Sequence, residues 1–346
     1  MISPKLSICI ATYNRGSFIG ETLNSILCQL VQGVELIVVD GASSDNTFEI
    51  MTQYLLKYPE IQYFRLQENS GFDCDYDKAV SYARGEYCWL MSDDDLLRSD
   101  AIATVLSALE SDNDLFIVNS EVKNADLSTV LNDRLVKIHV DREYSKSDGE
   151  DFFVEVAKYI SFVGCVVIRR VCWMSRDRSS YYGTWFVHVG VIFQTPSIVN
   201  VRLISEPLIT IRYGNSNWTS LRFMIWMFKW PNLVWSFSDF SDAAKHKVCR
   251  RKPWQRSEVL LKHRALGSYT ATEYDKLTLS DIGKGMRIKA YILSILPASL
   301  ANFMMVFYLL LFGKNKELVL YDLLHSRHAG ASSHFLARVL HRKLLD

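Results

Sequence analysis

Five short apolar runs recur through the first 120 residues: "LSICI" (6–10), "VELIVVD" (34–40), "IQYFRL" (61–66), "YCWLM" (87–91) and "LFIVN" (115–119). They are rich in β-branched and aromatic residues, which suits a pleated, buried surface. Helical patterns lie between them. In "SFIGETLNSILCQL" the apolar positions Ile19, Leu23, Ile26, Leu27 and Leu30 share one face, and "SSDNTFEIMTQYLLKY" and "SDAIATVLSAL" open on Ser/Asp cap signals. Strands that are apolar on both faces and alternate with helices predict an α/β fold with a parallel sheet covered on both sides. Such sheets bind ligands in the crevice at the carboxyl ends of their strands.

The polar residues gather at those ends. The first strand runs into Thr12-Tyr13-Asn14-Arg15, the second into Asp40-Gly41-Ala42-Ser43-Ser44-Asp45, and the fourth into Ser92-Asp93-Asp94-Asp95. Three adjacent carboxylates after a buried strand repel one another, and burying one unpaired is costly. Two readings stand: a solvated turn that caps the next helix, or a seat for a hard divalent cation, Mg²⁺ or Mn²⁺, whose shell a phosphate completes.

The 346 residues are 49% hydrophobic and 22% charged, enough for a substantial core and one large or two ordinary domains. A net charge of +1 conceals an asymmetry. Residues 1–160 hold 13 Lys+Arg against 27 Asp+Glu, whereas residues 161–346 hold 26 against 11. An acidic half followed by a basic half suggests two units with different partners. The seven cysteines include no CxxC pair, and several sit in apolar strand-like runs, so a reducing compartment and no structural zinc are expected. "MISPKLSICIATYNRG" lacks the apolar core of a signal peptide, which predicts a cytoplasmic N-terminal end. No nucleic-acid partner is expected.

"ATYNR", "VVDGASSDNT" and "ENSGFDCDYDKAVSYARGEYCWLMSDDDLL", in this order and spacing, resemble glycosyltransferase family 2, the nucleotide-sugar enzymes of the GT-A fold. The likeness covers residues 5–120 strongly and continues weakly through "LISEPLITIRYGN". It implies a mostly parallel, Rossmann-like sheet flanked by helices. Thr12, Tyr13, Asn14, Ser70, Gly71 and Lys78 would line the nucleotide pocket, with Asp40 on the base and Asp93 near the ribose. Asp94 would hold Mn²⁺ or Mg²⁺, and Asp95 would be either a supporting carboxylate or an alternative ligand. Such an ion neutralises the nucleoside diphosphate that leaves.

The sequence departs from the family where inverting members carry an acidic base beside the acceptor. Residues 160–215 offer only Asp177 and Glu206, and the expected place holds "GTWFVHVGV". There His188 reads either as the base or as a histidine packed among aromatics. "YYGTWFVHVGVIFQTP" and "RRKPW" resemble bacterial O-antigen transferases, in particular the abequosyltransferase-like group that adds a 3,6-dideoxyhexose from a CDP-linked donor. The donor base therefore stays open among CDP, UDP, GDP and dTDP.

A boundary near residue 215 would separate a catalytic domain (1–215) from a helical, aromatic and basic region (216–346). "AYILSILPASLANFMMVFYLLLFG" (290–313) is 24 residues without a charge, long enough to span a bilayer but interrupted by Pro297. This segment and the Trp-rich stretch 218–237 suit an interfacial location, and packed core aromatics are the equal alternative for the latter. The expectation is a peripheral enzyme on the cytoplasmic face of a bacterial inner membrane, with an undecaprenyl-diphosphate-linked acceptor. A membrane-surface scaffold that keeps the nucleotide-binding fold without catalysis is the competing expectation.

Overall fold

The computed structural model describes residues 3–198, 200–215, 221–277, 283–313 and 316–340. The chain forms two compact units. The first comprises residues 1–123, 133–212 and 235–248; the second comprises 124–132, 213–234 and 249–346.

The first unit is built on strands β1 (Leu6–Thr12), β2 (Val34–Asp40), β3 (Gln62–Arg65), β4 (Tyr87–Met91), β5 (Leu96–Leu97) and β6 (Leu115–Lys123). A strand of the second unit, β7 (Val130–Asn132), intervenes in the chain before β8 (Arg142–Tyr144), β9 (Val166–Arg169) and β10 (Val201–Arg212). The sheet order is β3-β2-β1-β4-β9-β6-β10-β5, with β8 on β10. Strands β3, β2, β1 and β4 are parallel, as are β6 and β10, whereas β9 runs antiparallel between β4 and β6. The order reverses at β1, whose successors lie on its two sides, and this switch opens a crevice at the strand ends.

The helices follow the apolar periodicity. In α1 (Gly16–Leu27) the buried positions include Ile19, Leu23 and Ile26; α2 (Thr47–Lys57) and α4 (Ala101–Ala108) also meet the sheet. Helix α3 (Phe72–Tyr82), which the apolar pattern does not announce, carries Asp73 and Asp75 in its first turn. There α5 (Gly149–Ile160), α6 (Arg170–Met174) and α7 (Val187–Phe193) complete the unit. All seven cysteines are free thiols.

Segment 235–248 returns to this unit and packs against α5. Phe240 stacks on Phe153 with ring centroids 4.0 Å apart, and Phe193 meets both Phe237 and Phe240.

In the second unit, residues of the Trp-rich stretch are core. Phe223, Met227, Trp254, Leu260 and Tyr269 form one buried cluster, and Trp230 and Val234 are also buried. The interfacial expectation for 218–237 is thereby corrected over its described part, residues 221–237; Trp218 lies outside the described residues. A π-helical turn at Ile225–Lys229 precedes Pro231, whose ring supplies no N–H to the helical ladder. Residues 290–313 are not one helix. Lys284–Ile295 and Ala298–Phe312 meet at 112° across Leu296-Pro297, and no single helix among the described residues is long and apolar enough to cross a membrane.

Truncation of Phe240 removes a stacked core ring, so Phe240→Ala is expected to lower the stability of the first unit by about 3–5 kcal/mol. Urea unfolding followed by near-ultraviolet circular dichroism measures this loss.

Candidate active site

Two loops at the carboxyl edge of the sheet are laced together by side chains. Asn14, with φ +54°, accepts at Oδ1 from the Ser44 N–H at 2.7 Å, and its own N–H donates to Ser43 Oγ at 2.9 Å. The Gly16 N–H donates to Asp45 Oδ2 at 3.0 Å, and the Arg15 N–H donates to Thr47 Oγ1 at 3.0 Å. This lacing explains why "TYNR" and "DGASSDNT" occur together: each supplies the other's loop with hydrogen bonds. Thr12 is buried and Tyr13 is exposed beside them.

Asp40 is fully buried at the end of β2. Its Oδ1 accepts from the Ser43 N–H at 2.8 Å and its Oδ2 from the Tyr63 hydroxyl at 2.6 Å, with Arg65 Nε at 3.9 Å. The backbone of Gly41 passes so close to Asp75 that an added Cβ would lie 2.6 Å from Asp75 Oδ2. Asp75 in turn accepts from Ser70 Oγ at 2.5 Å, and Lys78 Nζ donates to the same hydroxyl at 2.8 Å. Burial raises the Asp75 carboxyl above its ordinary range, against the pull of Ser70 and Lys78. Gly71 adopts φ +88°, a conformation that suits glycine, at the entrance to α3.

The acidic turn after β4 is not a solvated turn. Asp93 lies 3.6 Å from Arg15 Nε and Asp94 lies 3.3 Å from Arg15 Nη2. Burial, reinforced by the charge of Asp94, pushes the Asp93 carboxyl up to about 7, while Arg15 opposes the shift. Asp95 is held differently. Ser92 Oγ donates to its Oδ2, and the Arg212 N–H donates to its Oδ1 at 2.8 Å. Arg212 also donates from Nε to the Asp94 carbonyl at 3.1 Å and from Nη2 to Glu21 Oε2 at 2.6 Å. The guanidiniums of Arg15 and Arg212 both lie over the Phe18 ring, at 5.7 and 5.4 Å. Asp95 thus has both oxygens hydrogen-bonded, an arrangement that fits the supporting carboxylate among the two roles the resemblance implies for it.

His188 does not belong to this edge. It is fully buried in α7, its Nε2 paired with the Ile160 carbonyl at 2.8 Å and its Nδ1 without a partner. Burial lowers its pKa to about 4, against the hydrogen bond that Nε2 makes to the Ile160 carbonyl. A ring closed off from solvent cannot take a proton from an acceptor hydroxyl, so the base role is corrected to a packed core histidine. The two carboxylates available between residues 160 and 215 are also engaged. Asp177 accepts from Ser179 and Ser180, and Glu206 pairs with Arg98 and Arg134.

Three residues beyond the sequence assignments complete the site: Arg15, Arg212 and Asp75. The run "GFDCDYDK", with acids at every second position of a helix start, is the signal for Asp75. No local pattern marks Arg15 or Arg212, because their partners are distant in the chain.

A mostly parallel sheet whose carboxyl edge carries two interlaced loops and a buried acidic turn is the frame of GT-A glycosyltransferases. The sequence profile described as "Glycosyl transferase family 2" matches residues 7–170. Abequosyltransferase RfbV of Salmonella typhimurium is 30% identical over 226 residues, spanning 61% of this chain and 68% of that protein. Glycosyltransferase GlyG of Streptococcus pneumoniae is 29% identical over 119 residues, 34% of this chain and 40% of that one. Among solved structures, S. aureus TarS 1–349 in complex with UDP superposes with a TM-score of 0.51 at 15% identity, covering 93% of this chain and 91% of that one. The chain belongs to glycosyltransferase family 2 and is a glycosyltransferase.

Neutral in the folded chain, His188 gains a proton near pH 6.5 once unfolded. Its contribution to stability is therefore complete above pH 6.5 and is lost as the pH falls from 6.5 towards 4, by about 3 kcal/mol in all. His188→Leu is expected to remove that part of the acid sensitivity, measured as the difference in urea midpoint between pH 7 and pH 4.5 in the two proteins.

Proposed function

We propose that this enzyme transfers a sugar from a nucleoside diphosphate donor to a lipid-linked saccharide in the assembly of a bacterial surface polysaccharide. The observation that carries the donor half is the convergence of the Asn14 loop, Asp40, the Ser70–Asp75–Lys78 chain and the Asp93–Asp94 pair at one sheet edge. TarS has been crystallised with UDP and with UDP-GlcNAc, which supports a nucleotide-sugar donor. Relatedness to an abequosyltransferase supports a 3,6-dideoxyhexose and a CDP-linked donor.

A divalent cation fits the donor set. Mg²⁺ and Mn²⁺ are hard ions commonly held by one or two carboxylates together with substrate phosphates, and Asp94, whose carboxylate faces a cation already, supplies that oxygen. Asp93 lies beside it and Asp95 behind it as anchor. Among the described residues no cluster of three His, Cys, Asp or Glu side chains stands ready to hold an ion by itself, so the diphosphate is needed to complete the shell. When bound, the ion supplies Lewis-acid neutralisation of the leaving diphosphate. Meanwhile Arg15 holds the carboxylates in register, and Lys78 and Ser70 keep Asp75 turned towards the nucleotide loop.

Membrane docking falls to the second unit. On Lys284–Ile295 and Ala298–Phe312, Ile292, Ile295, Phe303, Phe307 and Leu311 are all exposed, and Lys284, Arg287 and Lys289 flank them. An apolar stripe beside basic residues suits the interface of an anionic bilayer, the place where a lipid-linked acceptor is found.

Thermal stabilisation by UDP, CDP, GDP and dTDP, each with and without Mn²⁺, tests the donor site. One nucleotide is expected to stabilise by about 2–3 kcal/mol at a hundredfold excess over its Kd, with the metal-dependent part lost in Asp94→Ala. A flat panel in folded protein overturns the reading. For docking, the triple change Phe303→Ser, Phe307→Ser and Leu311→Ser alters only exposed side chains, and it is expected to shift the protein from sedimenting phosphatidylglycerol vesicles to the supernatant. Unchanged co-sedimentation would exclude this face.

A further inference from the structure

The aspartates of α3 point two ways. Asp75 turns to Ser70 and the Gly41 loop, while Asp73 and Asp77, one helical turn apart, hold the segment 173–187. Asp77 accepts from Trp173 Nε1 at 2.8 Å and from the Tyr182 hydroxyl, and it pairs with Arg178 Nε at 2.7 Å. Asp73, only 3% exposed, accepts from the Trp185 N–H at 2.8 Å and from the Val187 N–H at 2.9 Å.

The residue held there is unusual. Trp185 has φ +75°, a left-handed conformation in which a bulky side chain meets its own backbone. Gly183, two residues earlier, has φ +78° without that penalty. Core packing does not account for keeping a tryptophan at the strained position, because Trp185 is only partly buried while Phe186, Val187 and His188 after it are fully enclosed. Its ring instead stacks on the equally half-buried Phe72, with centroids 5.8 Å apart and planes at 29°.

Phe72 follows Gly71 directly and meets Tyr76 edge-on at 4.8 Å. The Tyr76 hydroxyl donates to the Met91 carbonyl at 3.0 Å, two residues before Asp93. Phe72 thus adjoins the Ser70–Gly71 turn and, through Tyr76, is joined to the end of the strand that carries the acidic turn. Strained backbone maintained by a buried carboxylate is a mark of a functional position. A flat, half-exposed aromatic surface beside polar groups suits the C–H face of a pyranose, whose hydroxyls need polar neighbours.

We infer that Trp185, stacked on Phe72 and held in its left-handed conformation by Asp73, is the platform on which a pyranose ring rests during transfer. Trp185 touches sugar; Asp73 is a positioning residue. The inference rests on the glycosyltransferase reading and adds to it where the sugar lies, apart from the nucleotide.

The test separates nucleotide from sugar. Calorimetry compares UDP, CDP, GDP and dTDP with UDP-glucose, CDP-glucose, GDP-mannose and dTDP-glucose, which reads a donor ring. Saturation-transfer NMR of methyl α-D-mannopyranoside and methyl α-D-galactopyranoside on protein saturated with the nucleotide that binds reads an acceptor ring. Trp185→Ala is expected to leave the nucleoside diphosphate Kd within twofold. It should also cost at least tenfold in nucleotide-sugar affinity, or abolish transfer to the ring C–H protons of the methyl glycosides. Trp185→Phe should retain most of either signal, and Asp73→Asn should weaken the same signal as Trp185→Ala with nucleotide binding intact. A Trp185→Ala protein that keeps both signals overturns the inference, as does a wild-type protein in which neither sugar signal appears. Wild-type protein that binds no nucleoside diphosphate brings down the underlying donor reading, and the platform with it.

Discussion

The site depends on the burial of negative charge at the end of an apolar strand. Asp93, Asp94 and Asp95 follow β4 directly, and three enclosed carboxylates survive there only with positive charge or N–H donors around them. Arg15 answers two of them and the backbone of Arg212 answers the third. Both guanidiniums rest over Phe18, so one helix residue sets the height of both cations. Because Arg212 also reaches Glu21, this cluster ties the start of α1, the turn after β4 and the last residue of β10 into one unit. The acidic turn is thus as much a structural joint as a place for chemistry.

Helix α3 is the second organising element. Two turns of it place one aspartate towards the Gly41 loop and two towards the segment before α7, a division that follows from the 100° step of a helix. Gly41 shows how tight the first contact is, since no side chain fits between its backbone and Asp75. A helix start is a favourable place for such charge, because its unpaired N–H groups and dipole offset part of the cost.

Much of the frame is legible in the amino-acid sequence. The apolar runs become β1 to β4 and β6, and the polar residues after them do gather at one edge, because strand burial writes a strong local pattern. What is not legible depends on partners far away in the chain. Arg15 reads as part of a loop until Asp93 and Asp94 appear beside it, 78 and 79 positions later. Asp95 looks equivalent to its neighbours, and only the arrival of Arg212 distinguishes it. His188 and the aromatics of 221–237 carry a composition common to sites, membranes and cores, and burial alone separates these. The apolar stretch 290–313 reads as one segment by hydropathy, yet Pro297 breaks it into two helices at a steep angle.

The return of residues 235–248 to the first unit has a consequence for how this chain is made and inherited. Phe237 and Phe240 close over Phe153 and Phe193, yet the ribosome adds them only after two of the second unit's three segments, 124–132 and 213–234, have been made. The first unit therefore cannot finish its hydrophobic interior as an early, self-contained piece during synthesis. Nor can the two units be exchanged between relatives by a single genetic crossover: recombination at residue 215 would leave the aromatic lid behind with the wrong parent.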